Sequence, residues 1–182
     1  VVNSQLTKNT LTVSDRTVEK IYSNTRPEKT DIVKDGRFVI IELNPKDSGA
    51  SLRLEGNDEV GFQMKKATSK VTQKEDILFT NGKKLEKSIA ILENNKIKNL
   101  IVENFKQFVY KDTKTGTTVK YNLYIPKNYD KNKKYPLVLF MHDAGVLSED
   151  TKTTLLQGNG AISFATPEEQ ERHEAFVLAP QY

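Results

Sequence analysis

Cysteine and tryptophan are absent from the 182 residues, and histidine and methionine occur twice each. Without cysteine there is no disulfide, thiolate zinc site, iron–sulfur cluster or cysteine nucleophile. That absence leaves the cellular compartment open. Long apolar runs are missing too. The longest, Leu137 to Met141 and Ala175 to Ala179, hold five residues each, whereas a membrane-spanning helix needs about 20, so no span is expected. No charged-then-apolar leader precedes Val1, so a signal peptide is expected to be absent or already removed. An excess of one charge is lacking as well, since 28 Lys+Arg against 24 Asp+Glu leave a net +4. The lysines are spread along the chain and interleaved with acids. That pattern predicts a solvated lysine-rich surface and no nucleic-acid partner.

What is present argues for folded structure. Eight Phe, seven Tyr and a hydrophobic share of 36% supply the core-forming residues that disordered chains lack. The length suits one large or two small domains. The first hundred residues read as strands joined by polar turns. Leu11 to Val13 and Thr17 to Tyr22 are alternating or β-branched, and Phe38 to Leu43 is an apolar run between Asp35-Gly36 and Asn44-Pro45. Further short candidates are Ser51 to Leu54, Val60 to Met64, Val71 to Gln73, Ile77 to Thr80 and Ser88 to Leu92. Asn81-Gly82 predicts a type I′ hairpin turn. Strands at roughly 8–12-residue intervals without a helical period predict an all-β sandwich.

The pattern changes after about Leu100. Asn104 to Tyr110 and Thr117 to Ile125 flank an Asp112–Gly116 turn, predicting an antiparallel hairpin. Val119, Tyr121, Leu123 and Ile125 lie on one face, and Lys120, Asn122 and Tyr124 on the other. Tyr135 to Met141 is apolar without alternation, as a parallel strand covered on both faces should be. Ser148 to Gln157 predicts a short helix stopped by Gly158. Thr166-Pro167-Glu168-Glu169 reads as a capping box opening a second. Ala175 to Ala179 is a second unbroken apolar strand, so the segment predicts a βαβ crossover in a parallel sheet. One such crossover and one hairpin do not finish an α/β domain, and the chain is expected to be part of a longer one.

The segment best suited to chemistry follows the first parallel strand: His142-Asp143-Ala144-Gly145. Active sites of open α/β sheets lie beyond the carboxyl ends of strands. A tight turn of small residues there can aim backbone N–H groups at an oxyanion. A plain turn whose histidine bonds the backbone accounts for the same residues. Other site types have little support. Gly158-Asn159-Gly160 is a fragment of a phosphate loop with Ser163 in place of its third glycine and no strand leading in. Two histidines on no shared face give no metal cluster, and no cofactor is expected. Asp58-Glu59 and Glu168-Glu169 read as a solvated loop and helix-start charges, and the Lys127 to Lys134 loop as a solvated linker.

As a set, Tyr121 to Pro126, Tyr135 to Phe140, His142 to Gly145, Gln157 to Ala161, Phe164 to Glu168 and Val177 to Gln181 resemble the opening of a bacterial serine carboxylesterase of the α/β-hydrolase fold. The resemblance is to esterases related to polyhydroxybutyrate depolymerases and feruloyl esterases, some of which carry an immunoglobulin-like domain in front. It covers Phe105 to Tyr182, with a weaker echo at Ile21 to Thr25 and Phe38 to Leu43. It implies an immunoglobulin-like β-sandwich over residues 1–102 and an incomplete α/β-hydrolase domain (antiparallel hairpin plus βαβ) over 103–182. It also implies a secreted or cell-surface bacterial protein acting on small-molecule or polysaccharide-linked esters.

By the same resemblance His142, Asp143, Ala144 and Gly145 correspond to the oxyanion-hole loop, usually His-Gly-x-Gly. The amide of Ala144 is the expected donor and His142 a support of the loop. Asp143 replaces a usual glycine, where its side chain narrows the turn's geometry or caps a neighbouring amide. The family's catalytic serine lies in Gly-x-Ser-x-Gly, followed by Asp and His. None of the serines at 4, 14, 23, 48, 51, 69, 88, 148 and 163 has that frame, and no aspartate follows Asp150. Ala161 to Ala165 imitates it only through small flanking residues. Ser163, Glu169 and His173 are too close in sequence to converge as a triad from separate strands. No catalytic residue is therefore expected in this chain, which alone should be inactive. Its partner would be the remaining hydrolase segment. The alternative is a non-catalytic β-sandwich for carbohydrate binding or self-association into a homo-oligomer.

Overall fold

The computed structural model describes residues 1–2, 5–54 and 63–182. Ser4, Asp58-Glu59 and the first part of the Val60 to Met64 candidate strand lie outside the described residues. The chain forms two compact units, Val1–Leu52 with Lys66–Ile97, and Arg53–Lys65 with Lys98–Tyr182.

In the first unit β1 (Leu11–Val13), β6 (Lys70–Gln73) and β9 (Ile91–Glu93) pair antiparallel in the order β1-β6-β9. β2 (Val18–Asn24) pairs with β3 (Phe38–Leu43), and β7 (Ile77–Leu78) with β8 (Lys84–Leu85). Val2, Leu11, Ile21 and Ile77 are buried together, backed by Val39, Ile41, Val71 and Phe79. Removing such side chains from water is the main drive for so strand-rich a unit. Val2 ties the layer by bridging to both Gly36 and Phe79. Gly36 runs so close to its neighbour that an added Cβ would lie 1.8 Å from the carbonyl oxygen of Asn24.

The Asn81-Gly82 turn departs from the type I′ expectation. Gly82 has φ +79° and Asn81 does not enter the positive-φ region. The Phe79 carbonyl accepts from Gly82 N at 3.0 Å, and Phe79 N donates to the Lys83 carbonyl at 2.8 Å. That is the longer hairpin loop, a type I turn closed by one left-handed glycine.

In the second unit β4 (Arg53–Leu54) and β5 (Gln63–Met64) form a small antiparallel pair. The main sheet comprises β10 (Phe105–Lys111), β11 (Thr118–Tyr124), β12 (Leu137–Leu139) and β13 (Phe176–Gln181), in the order β10-β11-β13-β12. β10 to β11 and β11 to β13 are antiparallel, whereas β12 and β13 are parallel. The crossover between the parallel pair carries α1 (Thr153–Leu156), α2 (Gly160–Ser163) and α3 (Pro167–Arg172). Ser148 to Lys152 stays non-helical and only the last turn of the expected first helix forms. α2 occupies the region beyond Gly158. α3 begins as the capping pattern predicts, with Thr166 Oγ1 accepting from Glu169 N at 3.2 Å.

Leu155, Ala161 and Ala165 from the crossover pack on Phe105, Tyr124, Val177 and Ala179. This core corrects the face expected for β11. The inward side carries Asn122 and Tyr124, while Val119, Tyr121 and Leu123 are only half-buried. Asn122 tolerates full burial because Nδ2 donates to the carbonyls of Thr151 (2.6 Å) and Ala179 (3.1 Å), which removes the desolvation penalty. β12 departs from expectation similarly. Among the described residues only its helix-facing side is covered, and Leu137 and Leu139 remain 60% and 57% exposed. Across the sheet Phe108 stacks on Tyr121 (ring centroids 5.4 Å apart), on the same face by register.

Candidate functional site

The parallel ladder continues one residue past β12, with Phe140 N donating to the Leu178 carbonyl at 2.9 Å. The Phe140 ring lies against α2, where an added Cβ on Gly160 would fall 2.2 Å from it. Only glycine lets the helix approach this closely. The strand end is thereby fixed, and the chain bends immediately beyond the exposed Met141.

His142 turns inward and is 6% exposed. Its Nδ1 lies 2.8 Å from the carbonyl oxygen of Asp143, and its Nε2 lies 3.4 Å from the backbone N of Tyr182. An imidazole protonated on Nδ1 donates to the first and accepts from the second. The ring also packs on Tyr182 with centroids 4.3 Å apart. Histidine here anchors the bend to the end of β13.

Asp143 leads into a single 3₁₀ turn, Ala144–Val146, closed by Val146 N donating to the Asp143 carbonyl at 3.0 Å. The backbone of Asp143 is extended (φ −79°, ψ 163°) and its carboxylate makes no cap hydrogen bond. Both expected effects of aspartate at this position are therefore absent. The conformation is open to any residue, and the side chain occupies no neighbouring amide. The backbone N–H groups of Asp143, Ala144 and Gly145 donate to no partner among the described residues, and all three residues are exposed. A Cβ added at Gly145 would meet nothing within 4 Å. The bend presents three consecutive unpaired donors to open space at the carboxyl end of a strand, an arrangement suited to holding negative charge.

The loop is held from behind by polar groups that sequence reasoning did not single out. Gln181, 2% exposed, donates from Nε2 to the Val146 carbonyl at 2.9 Å. Its Oε1 accepts from Thr154 N (2.8 Å) and Thr154 Oγ1 (2.6 Å). Lys120, opposite Gln181 across the β11–β13 ladder, reaches Glu149 Oε2 at 2.6 Å. That ammonium holds the Glu149 carboxyl below the usual carboxylate range. The one signal for Gln181 in the sequence is a polar residue at the inward position of an otherwise apolar strand. Its partners lie far off in the chain.

Ser163, Glu169 and His173 are not assembled for catalysis. Ser163 Oγ hydrogen-bonds the Asn159 carbonyl. His173 is largely exposed and pairs with Glu169 one turn earlier at 2.9 Å, an ordinary surface pair. Among the described residues no three His, Cys, Asp or Glu side chains gather in a way that holds a metal. Among the same residues no helix is long and apolar enough to cross a membrane.

Residues 1–86 match the family model of the esterase Ig-like N-terminal domain. Among solved structures, a thermostable esterase is similar at 30% identity and a TM-score of 0.88, over 99% of this chain and 50% of that one. A ferulic acid esterase from Anaeromyces mucronatus, solved in complex with ferulic acid, aligns at 26% identity and a TM-score of 0.29. That alignment covers 42% of this chain and 28% of the other. No curated protein matches the chain. The chain spans about half the length of the thermostable esterase it resembles.

Proposed function

We propose that the chain is part of a serine carboxylesterase of the kind that carries an Ig-like domain at the N-terminus. Its match to the esterase Ig-like domain and its likeness to the thermostable esterase support this reading. Residues 1–102 form the Ig-like domain, and residues 103–182 the opening of an α/β-hydrolase domain. The remaining hydrolase segment supplies the serine, its acid and its base. The serine attacks the ester carbonyl, the alcohol leaves, and water then releases the acyl group from the enzyme. Each tetrahedral intermediate carries an oxyanion. The Ala144 amide, flanked by those of Asp143 and Gly145 and supported by His142, holds it together with the amide after the nucleophile.

The observation that carries this reading is the row of unpaired, exposed N–H groups at 143–145 directly past β12. The uncovered apolar side of the sheet at Leu137 and Leu139 is consistent with a further segment packing there. Small-molecule or polysaccharide-linked esters are the substrate class, and a secreted or cell-surface bacterial setting follows from the same family. The test is ester hydrolysis by the 182-residue chain beside a chain extended past Tyr182. Turnover in the extended form alone is expected. Equal turnover by the short form, or none by either, contradicts the proposal.

A second reading has an observation of its own. β9 is the edge strand of its sheet, and Ile89, Ile91 and Leu92 around it are exposed. An open, apolar edge favours self-association of the first unit over sugar binding. Sedimentation of the chain beside Ile91→Lys tests it. A dimer lost on substitution supports this reading, and a monomer in both removes it.

A further inference from the structure

We propose that Gln181 is a positioning residue for the loop at 142–146, clamping it to α1 and so setting the direction of the amides at 143–145. The proposal rests on reading that loop as the oxyanion site.

The side-chain amide of Gln181 is fully used. Nε2 donates to the carbonyl of Val146 and, at 3.3 Å, to that of Tyr182. Oε1 takes both the backbone and the hydroxyl donors of Thr154. Thr154 is itself 1% exposed, and its hydroxyl also lies 2.9 Å from the Pro180 carbonyl. One end of this planar group therefore grips the last residue of the 3₁₀ turn, and the other grips the first turn of α1. Exchanging the two ends of the amide would set Nε2 against Thr154 N and Oε1 against the carbonyls of Val146 and Tyr182. Only the Thr154 hydroxyl could adapt, so the bond pattern favours one orientation. With Val146 N bonded to the Asp143 carbonyl, both ends of the turn are tied. The amides of 143–145 lie in the segment so tied.

Burial makes the clamp consequential. A group left unpaired inside the protein loses its full hydration, so freeing Val146 from Gln181 favours a loop that swings out to water. His142 contributes a second, weaker tie through Tyr182 N at 3.4 Å. Asn122 fixes Thr151 farther along the same segment. Gln181 bonds the last residue of the turn, whereas His142 bonds Asp143 at its start.

The test is amide NMR relaxation of the 182-residue chain and of Gln181→Glu, which keeps the volume and the acceptor but replaces the donor with an oxygen facing the Val146 carbonyl. The order parameters of Asp143, Ala144 and Gly145 are expected to fall from about 0.85 to below about 0.6, while those of β11 and β13 stay unchanged. Hydrogen exchange at Val146 is expected to quicken by about tenfold or more. Thr154→Ser, which retains the hydroxyl, should match the parent. If Gln181→Glu does not fold, Thr154→Val, which removes the hydroxyl donor to Oε1, is measured the same way and should loosen the same three amides. Unchanged order at 143–145 in a folded variant, or equal loosening of the whole sheet, overturns the proposal. No ester enters these measurements, so their failure is separate from failure of the esterase reading.

Discussion

The side-chain amide of Gln181 meets the carbonyl of Val146 at 2.9 Å across a sequence separation of 35 residues. Through that bond the end of β13 supports the turn that follows β12, and two neighbouring parallel strands cooperate in shaping one loop. Around the free N–H groups of 143–145, the Asp143 carbonyl and both backbone polar groups of Val146 are engaged.

Asn122 serves the same segment from β11. Asn122→Ala leaves the carbonyls of Thr151 and Ala179 without their donor in a fully buried position. A loss of about 1–3 kcal/mol is expected, read as a lower urea midpoint with an unchanged slope. Asn122→Asp should cost more, since a buried carboxylate would face two carbonyl oxygens.

The glycines separate into two kinds. Gly160→Ala forces a Cβ to 2.2 Å from the Phe140 ring, and about 1–3 kcal/mol of overpacking is expected. Gly145→Ala has open space and no positive φ, so it should leave stability unchanged or raise it by about 0.4–1 kcal/mol through the unfolded state. Thermal unfolding of the two variants beside the parent checks the contrast.

Acid should weaken the first unit through Glu42. Lys29 Nζ at 2.9 Å and the Tyr22 hydroxyl at 2.9 Å hold its carboxyl below the usual range. A depressed carboxyl gives stability that is present above the unfolded value of about 4.3 and is lost as pH falls through the lower folded value. Glu42→Gln should flatten that acid limb in unfolding experiments between about pH 2 and 5, while leaving the stability nearly independent of pH in that window at this site. An undiminished acid limb in the variant counts against the assignment.

Much of the second unit was legible in the sequence because its patterns are local. The hairpin of β10 and β11, the parallel pair and the Thr166 cap all follow from neighbouring residues. The inward face of β11 was not legible. Asn122 looks like a surface residue until two distant carbonyls are placed beside its amide. Gln181 is hidden for the same reason. The Asn81-Gly82 turn misled because a single left-handed glycine serves a longer loop as well as a type I′ turn. The unalternating run of β12 implied two covered faces, yet the described residues cover one. The four candidate residues at 142–145 stand together beyond the strand end, and their roles rest on the proposal above.

The most direct measurement is ester hydrolysis by the extended enzyme carrying Ala144→Pro. Asp143 is already extended (φ −79°, ψ 163°), as a residue before proline prefers, and the Ala144 N–H has no partner to lose. Proline at the start of a 3₁₀ turn should therefore leave the fold intact and delete only the donor. The account predicts kcat lower by about 10²–10³ with KM little changed. A folded Ala144→Pro enzyme with unimpaired kcat would contradict it.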